Sequence, residues 1–114
     1  MSENKIAYPE LPSTDVPALK TFYGQLFGWI FQDYGDDYAA VEGAGLDGGF
    51  NGDPDTRPKA PLAIIETKNI EDMLRRVQDA GGTITMPTFS YPGGRRFHFR
   101  DPSGNELAVM QSAV

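Results

Sequence analysis

Cysteine is absent from this sequence and histidine occurs once. Without cysteine there is no disulfide framework, no thiol nucleophile and no thiolate metal site, and the expected compartment is the cytoplasm. No apolar run is long enough to cross a membrane. The opening Met1-Ser2-Glu3-Asn4-Lys5-Ile6 has no apolar stretch of signal-peptide length. Positive charge is scarce as well: ten basic residues face sixteen acidic ones, for a formal net charge of -6. That balance repels polyphosphate, so the expected partners include neither nucleic acid nor a membrane.

Two helices stand out in what is present. The first opens at Asp15, an N-cap residue, with Pro17 tolerated in the first turn. Val16, Leu19, Phe22, Tyr23 and Leu26 then recur at helical spacing, and Gly28 supplies a stop. The second opens at Asn69, with Glu71 and Asp72 suited to the N-terminal dipole. Its stripe is Ile70, Met73, Leu74, Val77 and Ala80, ended by Gly81-Gly82. Asp15 to Asn69 and Gly28 to Gly82 are both 54 positions apart (69 − 15 and 82 − 28), which points to an internal duplication.

The surroundings of each helix repeat too. One strand precedes each: Lys5 to Leu11, then Leu62 to Thr67. Three follow each: Trp29 to Asp33, Tyr38 to Val41 and Leu46 to Phe50, then Thr83 to Met86, Arg96 to Arg100 and Glu106 to Gln111. Asp101-Pro102-Ser103-Gly104-Asn105 reads as the turn of a hairpin. The expected fold class is therefore α+β, a single domain over 1–114 built of two βαβββ modules. Module one covers about 5–50, a linker rich in Pro, Gly and Asp about 51–60, and module two about 61–112. Each module has one sheet face for its helix and a second face left for a ligand cavity.

With these residues in place, a family resemblance can be stated. Thr14-Asp15, Phe22-Tyr23 and Leu26-Phe27-Gly28-Trp29 resemble the opening helix of the vicinal-oxygen-chelate superfamily, which includes glyoxalases, bleomycin-resistance proteins and extradiol dioxygenases. Ala80-Gly81-Gly82 is similar to the usual end of its second helix, and the 101–105 turn to its "DP.GN" turn. The resemblance covers about Ile6 to Gln111. It implies the glyoxalase/bleomycin resistance/dihydroxybiphenyl dioxygenase fold, a curved mixed sheet with a cavity, and commonly a homodimer. It also implies metal ligands of the His, Glu or Gln type on the first and last strands of each module. By spacing, those positions fall here on Tyr8, Gly49, Leu62 and Ala108. Three of these side chains cannot ligate, and Tyr is a poor ligand for a hard cation, so neither a metal nor another cofactor is expected.

Other motifs yield less. Gly43-Ala44-Gly45-Leu46-Asp47-Gly48 matches a dinucleotide-binding string, but Gly49 to Pro54 after it cannot start a helix, so it reads as a hairpin turn. The acidic run Asp33, Asp36, Asp37 lacks an EF-hand pattern. Ser90, Ser103 and Ser112 have no adjacent His–acid constellation. The segment Pro87 to Gly94 reads equally as a lid or as an irregular crossover. Arg75-Arg76 reads as a solvated helix face.

In Arg96-Phe97-His98-Phe99-Arg100 the alternation decides a parity. Burying two arginines against a helix is costly, so Phe97 and Phe99 should face the helix and leave Arg96, His98 and Arg100 on the open face. The candidate ligand-binding residues are Tyr8, Phe50, Arg96, His98 and Met110, with no catalytic residue assignable. The expected function is metal-free binding or sequestration of a small apolar or anionic molecule. The competing reading is a lyase, isomerase or dioxygenase with noncognate metal ligands, or a metal-free catalyst using His98 and a Glu. A homodimer packed around Trp29 is expected from the aromatic content of 11%.

Overall fold

A computed structural model describes residues 3–113. The elements run β1 (Lys5–Pro12), α1 (Val16–Phe27), β2 (Ile30–Asp33), β3 (Tyr38–Glu42), β4 (Gly48–Asn51), β5 (Leu62–Glu66), α2 (Ile70–Asp79), β6 (Thr83–Tyr91), β7 (Gly94–Arg100) and β8 (Glu106–Ser112). The chain divides into two units, Tyr8–Leu62 and the residues up to Ala7 together with those from Ala63. The repeat counts Lys5 to Ala7 with the first module, whereas the structure groups them with the second unit. There Asn4 donates its backbone N–H to the Glu66 carbonyl at 2.7 Å.

In the first unit the strands lie in the order β2-β3-β4-β1. β1 pairs parallel with β4, and the other pairs are antiparallel. Helix α1 begins where Asp15 accepts from the Ala18 N–H at 3.1 Å, and it ends at Gly28, which takes a left-handed φ of 74°. Its inner face covers Ala39, Val41 and Phe50, and Val16 completes that buried cluster. Tyr23, Trp29 and Phe31 pack around it, with Tyr23 and Trp29 stacked at 5.0 Å.

The second unit repeats this plan as β5-β8-β7-β6, with β5 parallel to β8 and antiparallel pairs beyond. Asn69 caps α2 by accepting from the Asp72 N–H at 3.0 Å. Ile70, Phe97 and Val109 form the buried core, with Met73, Leu74, Val77 and Phe99 packed on it. Phe97 and Phe99 therefore lie on the helix side, as the parity argument requires.

The helix starts match at the 54-residue offset but the stops do not. α1 has 12 residues and α2 has 10, and the left-handed residue after α2 is Gly81 rather than Gly82. Gly82 is needed for a different reason, since a Cβ there would collide with Val77. The segment read as a lid or crossover is neither: β6 continues through bulges to Tyr91 and pairs with β7 as far as Gly94.

Candidate functional site

Each unit has a sheet face turned away from its helix. In the second unit β7 supplies Arg96 and His98 to this face, alternating with the core residue Phe97. Register places Met110 beside Arg96 and Ala108 beside His98 on β8, and Phe89 beside Arg96 and Met86 beside His98 on β6. Arg96 is only 7% exposed, and its guanidinium carbon lies 5.5 Å from the Phe89 ring centre and 5.4 Å from that of Tyr91. A cation on two aromatic faces keeps its charge in a fixed place with little freedom. His98 is 3% exposed, with Phe89 6.0 Å away ring to ring. Its Nδ1 lies 3.5 Å from Glu106 Oε2, and the Thr85 hydroxyl donates to that same oxygen at 2.9 Å.

Arg96, His98 and Met110 are thus brought together. Phe89, Tyr91 and Thr85 join them without having been singled out from the sequence, and Glu106 stands beside His98. The bulged strand β6 hid the first two, because its pattern ends in a Pro- and Gly-rich segment. Arg95 belongs to the helix side, where it is hydrogen-bonded to Glu71. That guanidinium is the main reason the Glu71 carboxyl sits below its ordinary value.

Tyr8 lies in the first unit, and its hydroxyl is 2.5 Å from that of Tyr38. Phe50 does not line this face. It is fully buried under α1, because neighbouring strand residues point to opposite sides and Gly49 takes the open side. Glu10 and Asn51 occupy the open side as well, joined at 3.3 Å and both nearly inaccessible. A wide recess of about 650 Å³ lies at the start of α1, beside Ser13, Asp15, Arg57 and Lys59. Its polar groups serve the backbone: Asp15 caps the helix, and Arg57 donates to the Ser13 carbonyl at 2.9 Å.

The positions at which the resemblance implies a metal do not fit one. Glu10 pairs with Gly49, and 54 residues on, Ile64 pairs with Ala108, so Gly49 and Ala108 hold equivalent strand positions. A Cβ added at Gly49 would fall on the hydroxyls of Tyr38 and Tyr8, leaving no room for a ligating side chain. Leu62 and Ala108 are buried and offer no donor atom. Among the described residues, no group of three or more His, Cys, Asp or Glu could hold a metal ion. No helix among them is long and apolar enough to cross a membrane.

Paired βαβββ units with open sheet faces define a class of fold, and comparison with known proteins agrees. The chain belongs to the Glyoxalase/Bleomycin resistance protein/Dioxygenase superfamily, whose model matches residues 5–109. The anthracycline biosynthesis protein DauV of Streptomyces sp. (strain C5) is 30% identical over 129 residues, covering 95% of this chain and 47% of its own length. CFP32 of Mycobacterium tuberculosis, provisionally named a glyoxylase, is 29% identical over 114 residues, 90% of this chain and 44% of its own. The chain thus spans less than half the length of these relatives. A superfamily member from Vibrio splendidus 12B01 shares the fold, with a TM-score of 0.73 at 18% identity over 92% of this chain and 97% of that one.

Proposed function

We propose that this chain binds a small anionic molecule with an apolar body, without a divalent metal, on the open face of the second unit. Arg96 carries the reading. A nearly buried guanidinium lying over the Phe89 and Tyr91 rings fixes a positive charge on this face of a chain whose net charge is -6. His98 and Met110 extend the face beside it, one polar and one adaptable. The name of DauV refers to anthracyclines, which are fused-ring aromatic compounds, and this supports an aromatic body for the ligand. The cysteine-free composition suits the cytoplasm.

Thermal-shift titration with benzoate and benzylamine tests the reading. Benzoate should stabilise the protein and benzylamine should not. Arg96→Ala should weaken benzoate binding by roughly 1–3 kcal/mol, as for a lost charged hydrogen bond. Equal stabilisation by the two probes would sink the proposal. Finding about one equivalent of zinc, iron, nickel or manganese per chain by elemental analysis would overturn its metal-free part.

We also propose that a second copy of the chain covers the outer side of α1. Phe22, Leu26 and Phe27 are each more than half exposed there, a cluster that a monomer rarely leaves in water. Sedimentation at micromolar concentration should show a dimer, and a lone 12.5 kDa species would refute it.

One observation favours a second reading, a metal-free acid–base enzyme. Glu106, fixed by Thr85, lies beside His98 Nδ1 and is placed to orient the imidazole. Turnover of a bound probe that is lost in both His98→Ala and Glu106→Gln would establish it.

A further inference from the structure

The helix side of the first unit's sheet is not completely filled. Gly48 of β4 lies opposite Val41 of β3, with Pro9 of β1 on its other flank. A Cβ at Gly48 would come within 2.9 Å of the Pro9 carbonyl oxygen, so this position takes no side chain. In the second unit the equivalent residue is Leu107, one before Ala108 as Gly48 is one before Gly49. Leu107 lies opposite Phe99, which packs on that unit's core. Two large side chains thus stand where the first unit has glycine and valine.

In the first unit that place is a pocket of about 120 Å³. Trp29 and Phe50 wall it, and Leu46, 53% exposed on the loop between β3 and β4, brings it to the surface. The Trp29 indole N–H is the one polar side-chain group among the lining residues. A water molecule needs about two to four polar partners, which such a lining does not supply. A cavity of roughly 150 Å³ lined by apolar side chains stays dry and admits a benzene ring. A charged group would lose its hydration there with no counter-charge in return. We infer that this pocket is a binding site for one uncharged hydrocarbon ring of a small molecule. It belongs to the first unit, whereas the Arg96 face belongs to the second, and the inference does not rest on the anion-binding reading.

Benzene titrated against the whole protein, with its leucine and valine methyls isotope-labelled for NMR, tests the inference. An aromatic ring displaces the resonances of the methyls it covers. Those of Leu11, Val41 and Leu46 should therefore move along one saturating curve, while Val109 in the second unit stays still. Trp29 is the chain's single tryptophan and gives a second readout. Bromobenzene should quench its emission to a plateau, because a bound heavy atom touches the indole. Ala44→Leu puts a larger side chain into the pocket and should abolish both responses, with Tm unchanged or raised as for a filled cavity. Benzoate binding should survive Ala44→Leu, so the failure of either reading leaves the other standing. Methyl shifts that never saturate, or that reach Val109 equally, overturn the inference. Shifts confined to Leu26 put the ring on the outer side of α1 and overturn it too, as do saturating responses that persist in folded Ala44→Leu. If Ala44→Leu does not fold, the methyl shifts of the parent protein decide alone.

Discussion

The two units share one plan and differ in where they are polar. Val16 and Ile70, 54 positions apart, are both buried at the start of their helices, under equivalent Asp15 and Asn69 caps. The open faces share no chemistry: phenols with Glu10 and Asn51 in the first unit, Arg96 and His98 with Glu106 in the second. The helix exteriors diverge as well. α1 exposes Phe22, Leu26 and Phe27, whereas α2 exposes Glu71, Arg75 and Arg76, with Arg75 bonded to Asp72 at 2.6 Å. Packing between helix and sheet constrains residues tightly, because a close-packed interior penalises every change of volume. A face that meets ligand or solvent is free to change its chemistry. In a duplicated fold, function is therefore to be sought where the halves disagree.

The sharpest test is whether the shared cores are energetically equal. Phe50 and Phe97 are both fully buried, each beneath its own helix. Phe50→Ala and Phe97→Ala should each destabilise by about 3–5 kcal/mol in urea denaturation, the usual cost of emptying an aromatic site. A cost below about 1 kcal/mol for Phe50→Ala alone would mean that Phe50 is not part of a core and would return it to the ligand face.

That test bears on what was legible in the sequence. Caps, helical stripes and the 54-residue offset gave both units their order, because each is a local signal. The parity of Arg96 to Arg100 was readable because burying arginine against a helix is so unfavourable. Phe50 was misplaced because Gly48-Gly49 precedes it and shows no alternation, so nothing local says which face it takes. Phe89 and Tyr91 were missed because bulges break the period-2 pattern of β6. The Tyr8–Tyr38 pair joins residues 30 positions apart through β4. No single-strand pattern encodes such a contact, although the absence of a side chain at Gly49 was a clue.

A smaller effect compares the helix starts. Asp15→Ala and Asn69→Ala each remove one side-chain acceptor for a backbone N–H, at 3.1 and 3.0 Å. Each should cost about 1 kcal/mol in the same denaturation experiment. Asp15→Asn and Asn69→Asp should largely preserve stability, since all four combinations keep the acceptor. If only one cap proves costly to lose, the equivalence of the helix starts is geometrical and not energetic.

The smallest effect concerns two exposed carboxylates of the second unit. Glu71 is held below its ordinary value chiefly by the Arg95 guanidinium, and Asp101 chiefly by the side-chain amide of Asn105. In both, the folded value lies below the unfolded one, so over that window the unfolded chain binds more protons. Stability is then fully present above the ordinary carboxylate range and declines as pH falls through the lowered folded values. Glu71→Gln and Asp101→Asn should each flatten part of the acid limb of a plot of Tm against pH. Salt distinguishes them. The Glu71 contribution depends on a cationic partner at the surface and should shrink as salt is added, whereas Asp101 is held by neutral donors and should respond less. Acid limbs that respond equally to salt in the two variants would show that the Arg95–Glu71 contact contributes through hydrogen bonding alone.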